Sequence, residues 1–494
     1  MESAKMTASL GGDSNRKATV STRTDAAAGS TAKPGADQGR RGFLKLAGLA
    51  TAGALGATVF PYAAEASGGT RSYARFWGSS RAFWRRIQNQ FILDRRLVYM
   101  NIGTTGSMPR FVLHNYDEYN RTVARNPWDL GGDFPSTTDM RAAIAPGFGC
   151  EAEELWMSEN TTNGLAQILN GIALGPDDVV LTTIHEHSAG LNPLYRLRDR
   201  YGIQLRFIAA PILPTSPDEY VQAFEDGILD VIAEFGAPPK LVFFTHTPYK
   251  TGATLPVKAI CEMARFEYGC ITAVDGAHNT GMLNLDFRDL GCDFYSGSGH
   301  KWQCGPGRTG IAYIRNQGGD LPEFWVTEGG YREDAEQRAE GDDIAGLLQS
   351  HGNPNYPAYR ALHDSCLFWD EIGRQRIEDY VLDLSAYTKE CIRDRFGSQA
   401  RFYCPDVREL SSGLTTFNPF DDPTDSAQAL EFRERLREKY GYVIRYTNFN
   451  ETVDDFLNGA PYTYAHRIST HLFHDRGQIR GLVDAMYDLF QRMT

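Results

Sequence analysis

The 494-residue sequence lacks several features that would restrict its function. Its eight cysteines form no Cys-x-x-Cys pair, so neither a zinc ribbon nor a redox motif is indicated. The formal net charge of −12 argues against the basic face that a nucleic-acid-binding protein needs. No fixed-period repeat is evident, and no apolar run reaches the roughly 20 residues that cross a bilayer. These absences favour a small-molecule substrate, with no nucleic-acid partner and no stable membrane anchor.

The first 66 residues are predicted to be an export leader. Residues 1–39 are rich in Ser, Thr, Ala and Gly without an apolar period, which predicts disorder. Arg40-Arg41 then precede an uncharged stretch from Leu46 to Phe60, and Ala64-Glu65-Ala66 is a small-x-small cleavage pattern. This order resembles a twin-arginine signal. It predicts recognition by the twin-arginine export machinery and a periplasmic or secreted location.

The cysteines are best explained as small buried apolar side chains, because eight are too few for a disulfide scaffold in a chain of this length. Export to an oxidising compartment leaves a disulfide open. The composition, with 42% hydrophobic and 12% aromatic residues, can fill a large core. A globular protein of two or three structural units is therefore expected.

The remainder of the chain shows an α/β pattern. Short apolar runs rich in β-branched and aromatic residues alternate with amphipathic stretches, as a mostly parallel sheet requires. The predicted strands are Val179–Thr183, Gln204–Ile208, Leu241–Thr245, Ile271–Val274 and Gly310–Ile314. We predict an N-terminal arm over 67–105, a large domain over 106–358 and a smaller C-terminal α+β domain over 359–494.

Helices are predicted where apolar residues share one helical face. Pro256 suits the first turn of one helix and Gly269 suits its end. A charged helix is predicted over Ala427–Tyr440, between isolated strands near Leu414–Phe417 and Tyr442–Arg445. The final helix has Asp475 as its candidate cap and an apolar face formed by Ile479, Leu482, Val483, Met486 and Leu489.

One pair of segments carries most of the chemical information. Asp275 stands at the end of a predicted strand, and Lys301 follows 26 positions later (301 − 275) after Ser-Gly-Ser-Gly-His. Alone, the lysine reads as a surface charge and the aspartate as a turn residue. Together they match pyridoxal phosphate chemistry, in which a lysine holds the cofactor as a Schiff base and a carboxylate keeps the pyridine nitrogen protonated.

These segments resemble a known family. Asp275-Gly276-Ala277-His278 and Ser298-Gly299-His300-Lys301 match motifs of the class V aminotransferases, and the similarity runs from about Tyr99 to the C-terminus. Within that family, the chain is similar to the isopenicillin N epimerase branch and to periplasmic pyoverdine-tailoring enzymes. The resemblance implies the aspartate aminotransferase fold, pyridoxal 5'-phosphate bound by the large domain, and a homodimer with active sites at the subunit interface.

The resemblance also implies roles for individual residues. His187 would stack on the pyridine ring and handle protons, while His278 would reach the phenolic oxygen. Tyr249 replaces the family's usual Asn as an oxygen contact. The phosphate contacts would be Thr161, Thr162, Ser298, His300 and, across the dimer interface, Thr327. Read without the resemblance, the Thr pair is an ordinary helix cap.

The segment His185-Glu186-His187 is compatible with metal binding. No third ligand follows at a recognisable spacing, and zinc requires three or four, so no metal is predicted. Near the C-terminus, His466-Arg467-Ile468-Ser469 matches the family's Arg-x-Ser segment, which implies that Arg467 grips the substrate carboxylate. A surface ion pair is the alternative for Arg467 when it is read alone.

No cysteine follows Cys404, although cysteine desulfurases of this family carry a nucleophilic cysteine on a loop before the carboxylate-binding arginine. Persulfide transfer is therefore disfavoured, and the corresponding loop is predicted over Asn448–Glu451. The leading hypothesis is an exported enzyme acting at Cα of an amino acid or peptide-like amine, including a siderophore amine. Transamination, epimerisation and oxidative decarboxylation all fit. A C–S lyase and a non-catalytic binding protein on the same fold are the alternatives.

Overall fold

The computed structural model describes residues 80–128, 134–315, 323–327, 329–331, 343–350, 352–459 and 461–494. The predicted leader over 1–66 and the first part of the predicted arm, 67–79, lie outside the described residues. Among the described residues, no helix combines the length and apolar character that crossing a membrane demands.

Strands and helices are numbered in chain order. The strands are β1 Val98–Tyr99, β2 Leu155–Trp156, β3 Val179–Thr183, β4 Gln204–Ile208, β5 Leu241–Thr245, β6 Ile271–Gly276, β7 Phe294–Ser298, β8 Gly310–Ile314, β9 Arg401–Phe402, β10 Leu414–Asn418, β11 Tyr442–Val443, β12 Arg445–Phe449 and β13 Thr463–Ser469. The α-helices are α1 Ser80–Gln88, α2 Arg110–Arg125, α3 Thr137–Ile144, α4 Thr161–Gly171, α5 Ser188–Tyr201, α6 Asp218–Phe235, α7 Val257–Glu262, α8 Phe287–Leu290, α9 Ile344–Gln349, α10 Tyr356–Ile372, α11 Arg374–Phe396, α12 Ser426–Tyr440, α13 Val453–Asn458 and α14 Arg476–Met493.

The central sheet has seven strands in the order β2-β8-β7-β6-β5-β3-β4. Strand β8 runs antiparallel to both β2 and β7, and the remaining neighbours pair in parallel. Strand β5 is buried along its whole length, which explains its continuous apolar sequence, because helices cover both faces of a parallel sheet. The predicted α/β fold with a mostly parallel sheet is confirmed.

Four predicted strands agree with β3, β4, β5 and β8 at both ends, and the fifth continues through Gly276 as β6. Sequence analysis named no strand at β2 or β7. Strand β7 ends in Ser-Gly-Ser, which weakens its β signal, and β2 has only two residues. The missed strands nevertheless pair in register with β6 and β8.

The helix predicted after Pro256 forms as α7, which continues into a π-helical turn over Met263–Glu267. Gly269 follows with φ of +70°, a conformation that favours glycine. Helix α12 begins one residue before its predicted start. Helix α14 begins after Asp475, whose side chain accepts from the backbone N–H of Gln478, as predicted for the cap.

A second, antiparallel sheet has the order β12-β13-β10-β9. The strand predicted near Tyr442–Arg445 divides at Ile444 into β11 and β12, and β12 continues through Phe449. The prediction that Asn448 and Phe449 belong to a loop is therefore wrong. Both residues pair with β13, where Phe449 faces Thr463.

Strand β1 pairs in parallel with β11, which attaches the segment before residue 110 to the C-terminal part of the chain. The residues that follow β1 therefore lie beside β13, where the backbone N–H of Ser469 donates to Met100. The domain boundaries at residues 105 and 358 stay a prediction. In the central sheet, β3, β5 and β6 end at one edge, where ligands of open parallel sheets bind.

Candidate active site

A cavity of about 300 Å³ opens at the carboxyl edge of the central sheet. It is lined by residues from the ends of β5 and β6, the start of α4 and the loops after β3 and β7. Most residues predicted from sequence to hold the cofactor meet here. The lining consists of Asn160, Thr161, Thr162, His187, Ala189, Thr245, Tyr249, Asp275, Ala277, His278, His300 and Lys301.

Lys301 lies in the loop after β7 with its amine on the cavity. Within the described residues, this amine has no hydrogen-bond or ion-pair partner. Desolvation lowers the pKa of Lys301 to about 8, the nearby carboxylate of Asp275 opposes that shift, and Arg467 reinforces it. An amine in this state is available both as a nucleophile and as a proton carrier near neutral pH.

Asp275 occupies the end of β6, opposite Thr245 on β5. Its Oδ1 accepts from the backbone N–H of Ala277 at 2.9 Å, which fixes the carboxyl group. Burial raises the pKa of Asp275, with the hydrogen bond from Ala277 and the charge of Lys301 acting in the opposite direction. Such a carboxyl group gains most from a positively charged ring nitrogen, which would pair with its buried charge.

The start of α4 forms the end of the cavity that is suited to binding an anion. Asn160 caps the helix by accepting from the backbone N–H of Asn163 at 2.9 Å. The hydroxyl of Thr161 is buried and makes no hydrogen bond within the part of the chain that the structure describes. Thr162 is exposed to the cavity beside it. An unpaired hydroxyl at a helix N-terminus suits a phosphate group.

His278 is held in one tautomer by its neighbour. The indole Nε1 of Trp302 donates to His278 Nδ1 at 3.1 Å, so a neutral ring carries its proton on Nε2. Burial keeps the ring neutral by lowering its pKa well below the usual value, and the charge of Lys301 acts in the same direction. His278 therefore presents a hydrogen-bond donor, as contact with a phenolic oxygen requires.

His187 precedes α5 and caps it. Its Nδ1 accepts from the backbone N–H of Ala189 at 3.0 Å, and its ring lies edge-on to Tyr249 with centroids 5.1 Å apart. Desolvation in the cavity lowers the pKa of His187 to about 4, and Lys301 contributes. The ring is therefore neutral at pH 7 with its remaining nitrogen protonated, so it can stack or donate. The stacking role itself stays a prediction.

Two predicted phosphate contacts do not line the cavity. The hydroxyl of Ser298 is buried and donates to the backbone oxygen of Ala277 at 2.6 Å. Thr327 is exposed on the segment 323–327, so its contact across a dimer interface stays a prediction. His300 does line the cavity, with Nδ1 3.5 Å from the backbone oxygen of Thr309.

Arg467 lies on β13 close to the cavity and is 1% exposed. Its Nη1 donates to the backbone oxygen of Tyr249 at 3.1 Å and its Nη2 to Asn101 Oδ1 at 3.1 Å, while Nε is buried without a partner in the described part of the chain. No Asp or Glu among the described residues forms an ion pair with it. Burial lowers the pKa of Arg467 to about 9, and Arg445 adds to the shift. A carboxylate ligand would supply the missing acceptor.

Sequence analysis did not identify three of these contributors. Asn101 orients Arg467, and Arg445 lies opposite it across the strand pair. Glu186 is buried behind the cavity, where the hydroxyl of Thr183 and the backbone N–H of Thr245 donate to it at 2.7 and 3.1 Å. In the sequence, the only indication of a role for Glu186 was its position between His185 and His187. Among the described residues, no group of His, Cys, Asp and Glu is arranged to hold a metal ion.

Burial raises the pKa of Glu186 to about 7, and the nearby carboxylate of Asp275 contributes. Glu186 therefore holds a proton in about half of the molecules at pH 7. All eight cysteines are unpaired, and seven are buried.

Three observations fit pyridoxal phosphate. One cavity is surrounded by a lysine amine, a buried carboxyl group and a hydroxyl at a helix start, and neither the amine nor the hydroxyl has a partner within the described ranges. These are the groups that the cofactor's aldehyde, pyridine nitrogen and phosphate require. Lys301, Asp275 and the start of α4 would hold it, with His278 as the donor to its phenolic oxygen.

Comparison with known proteins agrees with this assignment. The family model of aminotransferase class V matches residues 98–433. An isopenicillin N epimerase of Streptomyces clavuligerus is 29% identical over 370 residues, covering 73% of this chain and 89% of that protein. A probable cysteine desulfurase of Halalkalibacterium halodurans is 28% identical over 368 residues, covering 70% and 83%.

A solved structure supports the fold. A mutant of C-DES, with glycine covalently linked to its pyridoxal phosphate cofactor, is 21% identical and superposes with a TM-score of 0.63 over 81% of this chain and 99% of that one. Because the family match spans more than half of the chain, family membership does not depend on this weaker identity. The chain belongs to the aminotransferase class V family of pyridoxal-phosphate-dependent enzymes.

Proposed function

We propose that the enzyme moves a proton at Cα of an amino acid or peptide-like primary amine and keeps the substrate's carboxylate. The observation that carries this proposal is that Lys301, whose pKa is about 8, lies near a buried arginine, Arg467, which has no carboxylate partner among the described residues. The cofactor, when bound, supplies an electron sink for the Cα bond. Lys301 accepts and returns the proton.

The proposal favours epimerisation or transamination over oxidative decarboxylation. A carboxylate held by the buried Arg467 is stabilised as an anion, which opposes its loss as carbon dioxide. Burial lowers the pKa values of His278 and His187, which makes both rings weak bases. Their proposed role is to orient the cofactor by donating hydrogen bonds, with Lys301 as the proton carrier at Cα. The similarity to an isopenicillin N epimerase supports epimerisation as the first reaction to assay.

Exchange at Cα tests the proposed function. The purified holoenzyme is incubated in D₂O with a panel of L- and D-amino acids and with carboxylate-bearing peptides. NMR should show loss of the Cα proton, and chiral analysis should show whether the configuration changes. Formation of a keto acid would identify transamination. Lys301→Ala should abolish the exchange. If wild type converted a substrate without exchanging its Cα proton, the proposal would be contradicted.

A C–S lyase is the second candidate, supported by the relatives named as probable cysteine desulfurases. The segment from Arg445 to Arg467 contains no cysteine, so a persulfide on that loop is disfavoured. A lyase that releases sulfide directly needs no protein thiol. Sulfide release from cysteine, or release of cysteine persulfide from cystine, that is unchanged in Cys404→Ala would favour this candidate over epimerisation.

Export is proposed from the sequence of the leader. The support is the order of Arg40-Arg41, an uncharged stretch and Ala64-Glu65-Ala66. A fusion of residues 1–66 to a reporter should reach the periplasm, and the change of Arg40 and Arg41 to Lys should retain it in the cytoplasm. Export of the fusion in a strain without the twin-arginine machinery would contradict the proposed route. A siderophore amine is the proposed substrate class that best explains an exported enzyme.

A homodimer is proposed from family membership alone. Light scattering with size-exclusion chromatography should give twice the mass of the mature chain. In Thr327→Ala, weaker cofactor binding with an unchanged mass would support a phosphate contact across the interface. A monomer that still binds cofactor would contradict the dimer.

A further inference from the structure

Arg445 is a second arginine on the substrate side of the cavity. It lies on β12 directly opposite Arg467 on β13. Side chains at directly opposite positions of an antiparallel pair project from the same face, with Cβ atoms about 4.5–5.5 Å apart. The two guanidinium groups also contact one segment, because Arg445 Nη1 donates to Thr104 Oγ1 at 3.3 Å and Arg467 Nη2 donates to Asn101 Oδ1 at 3.1 Å.

The charge of Arg445 acts on the cavity. Besides desolvation, it is one of the influences that lower the pKa values of Lys301 and His187. For Arg467, burial is the largest cause of the lowered pKa, and the charge of Arg445 is the second largest. These effects place the guanidinium of Arg445 within electrostatic reach of the groups that would surround a substrate.

The arginine pair has no anionic partner in the described ranges. Neither Arg445 nor Arg467 forms an ion pair with an Asp or Glu side chain there, and the Nε of Arg467 is buried without an acceptor. Like charges directly opposite each other destabilise a sheet. The arrangement therefore lowers stability in the free protein, and an anion between or beside the two groups would relieve it.

Arg445 is not needed to bind the cofactor phosphate or the carboxylate of a substrate that has only one. The phosphate fits the start of α4, and one carboxylate fits Arg467. Arg445 is exposed, whereas Arg467 is buried, so Arg445 is accessible to a group of the substrate that extends towards solvent. A group bound there belongs to the part of the substrate beyond Cα.

We propose that Arg445 binds a second carboxylate of the substrate, which makes the substrate class an amine with two carboxylates. This inference rests on the proposed function, because it takes Arg467 as the anchor of the first carboxylate. The second carboxylate belongs either to an acidic side chain or to a more distant position in a peptide-like molecule. Because Arg445 is exposed, it is compatible with either distance between the two carboxylates of the substrate.

Binding of unreactive acids tests the proposal without catalysis. Isothermal titration of the holoenzyme compares butyrate with succinate, glutarate and adipate, none of which has an amine to react with the cofactor. Wild type should bind at least one dicarboxylate about tenfold more tightly than butyrate, since a bidentate guanidinium contact is worth that much. The preferred chain length distinguishes a short acidic side chain from a distant carboxylate.

Arg445→Gln should reduce the preference for a dicarboxylate to within about twofold, and butyrate should lose less affinity than the preferred dicarboxylate does. Arg467→Gln should weaken the binding of both kinds of acid. Arg437→Gln is the matched control, because Arg437 is exposed on α12 and lies on neither β12 nor β13. Unfolding temperatures show whether each variant is folded.

The proposal is overturned if wild type has no preference for dicarboxylates, or if Arg445→Gln keeps that preference. Failure of the proposed function has a separate signature. In that case the Cα proton would not exchange in any acid-bearing amine, although the dicarboxylate preference and its dependence on Arg445 could still be measured.

Discussion

At the residue scale, the state of the site depends on a few hydrogen bonds to buried groups. His278 presents Nε2–H to the cavity because Trp302 occupies Nδ1 as a donor. Lys301 adjoins Trp302 in sequence, so the residue that holds the cofactor and the residue that orients His278 are placed by the same loop. Position in the motif predicted His278, whereas its tautomer follows only from the contact with Trp302.

We expect Trp302→Phe to leave His278 Nδ1 buried without a donor, which costs about 1–3 kcal/mol and mixes the tautomers. Nitrogen chemical shifts of the apo protein should show partial protonation of Nδ1, and cofactor affinity should fall by about tenfold. Trp369→Phe is the control, because Trp369 donates to the backbone oxygen of Gly281 at 2.9 Å. Unchanged His278 shifts in Trp302→Phe would refute the assignment.

At the element scale, the segments predicted best are those whose apolar pattern alone shows which of their faces are buried. Strand β5 reads Leu-Val-Phe-Phe-Thr and is buried on both faces, so a continuous apolar run was sufficient to find it. Strand β7 was missed because Gly297 and two serines give no such run, and pairing with β6 and β8 overrides their low propensity. Arg445 was missed because register, which sequence does not show, places it opposite Arg467.

Gly276 illustrates an element-scale constraint on the site. A Cβ at this position would collide with the ring of Tyr295, so Gly276→Ala requires β6 to move. We expect a loss of about 2–4 kcal/mol in the free energy of unfolding and weaker cofactor binding, because Asp275 shifts with the strand. Ala273→Gly, also in β6, is a comparison that removes a side chain without a clash. Urea unfolding and cofactor titration measure both effects, and a stable Gly276→Ala with normal affinity would contradict the account.

The cap of α14 gives a second element-scale prediction. Asp475 and Gln478 form a capping box, so Asp475→Ala should lower the free energy of unfolding by about 1 kcal/mol. Gln491→Ala, an exposed position late in the same helix, should change it by less than about 0.5 kcal/mol. Chemical denaturation distinguishes the two, and equal losses would show that the cap contributes nothing.

At the scale of the whole molecule, buried histidines dominate the dependence of stability on pH. Burial lowers the pKa values of His246, His466 and His471 to about 3, and those of His185 and His474 to about 4. Each contributes stability that is present above its unfolded pKa of about 6.5 and is lost as the pH falls towards its folded value. Glu186 has the opposite sign, because its raised pKa makes it most stabilising below about pH 4.5. Burial also lowers the pKa values of His187, His278 and His300, and it raises those of Asp275, Asp370 and Glu371. Eight histidines therefore oppose four carboxyl groups, so stability should fall below pH 6.5.

His466 offers a clean test of this pH dependence. Both ring nitrogens are buried and have no hydrogen-bond partner among the residues that the structure describes, and the ring centroid lies 4.5 Å from that of Phe432. We expect His466→Leu to flatten the acid side of the stability profile by about 1.4 kcal/mol per pH unit, the contribution of one proton. At pH 8 it should be neutral or stabilising, because two unpaired polar atoms are removed. Urea unfolding of both proteins from pH 4.5 to 8 provides the comparison. If the free energy of unfolding of His466→Leu changed with pH in parallel with that of wild type, the expectation would be contradicted.

Sequence sufficed for the fold class, the family and the residues on two motifs, because Asp275 and Lys301 carry chemistry at a fixed spacing. It did not reveal that Ser298 donates to Ala277 or that Glu186 is a buried neighbour of Asp275, since these relations arise from three-dimensional packing. The substrate side was the least predictable part. It combines Arg467 with residues near Asn101 that are more than 300 positions away.

The central claim is that Lys301 carries the cofactor covalently in a cavity where Asp275 supports its ring. The absorption spectrum of the purified protein, reconstituted with pyridoxal phosphate, tests it most directly. Wild type should show a band near about 410–430 nm that survives gel filtration, and Lys301→Ala should lose it while remaining folded. A reconstituted wild type without that band, or a Lys301→Ala protein that keeps it, would contradict the account.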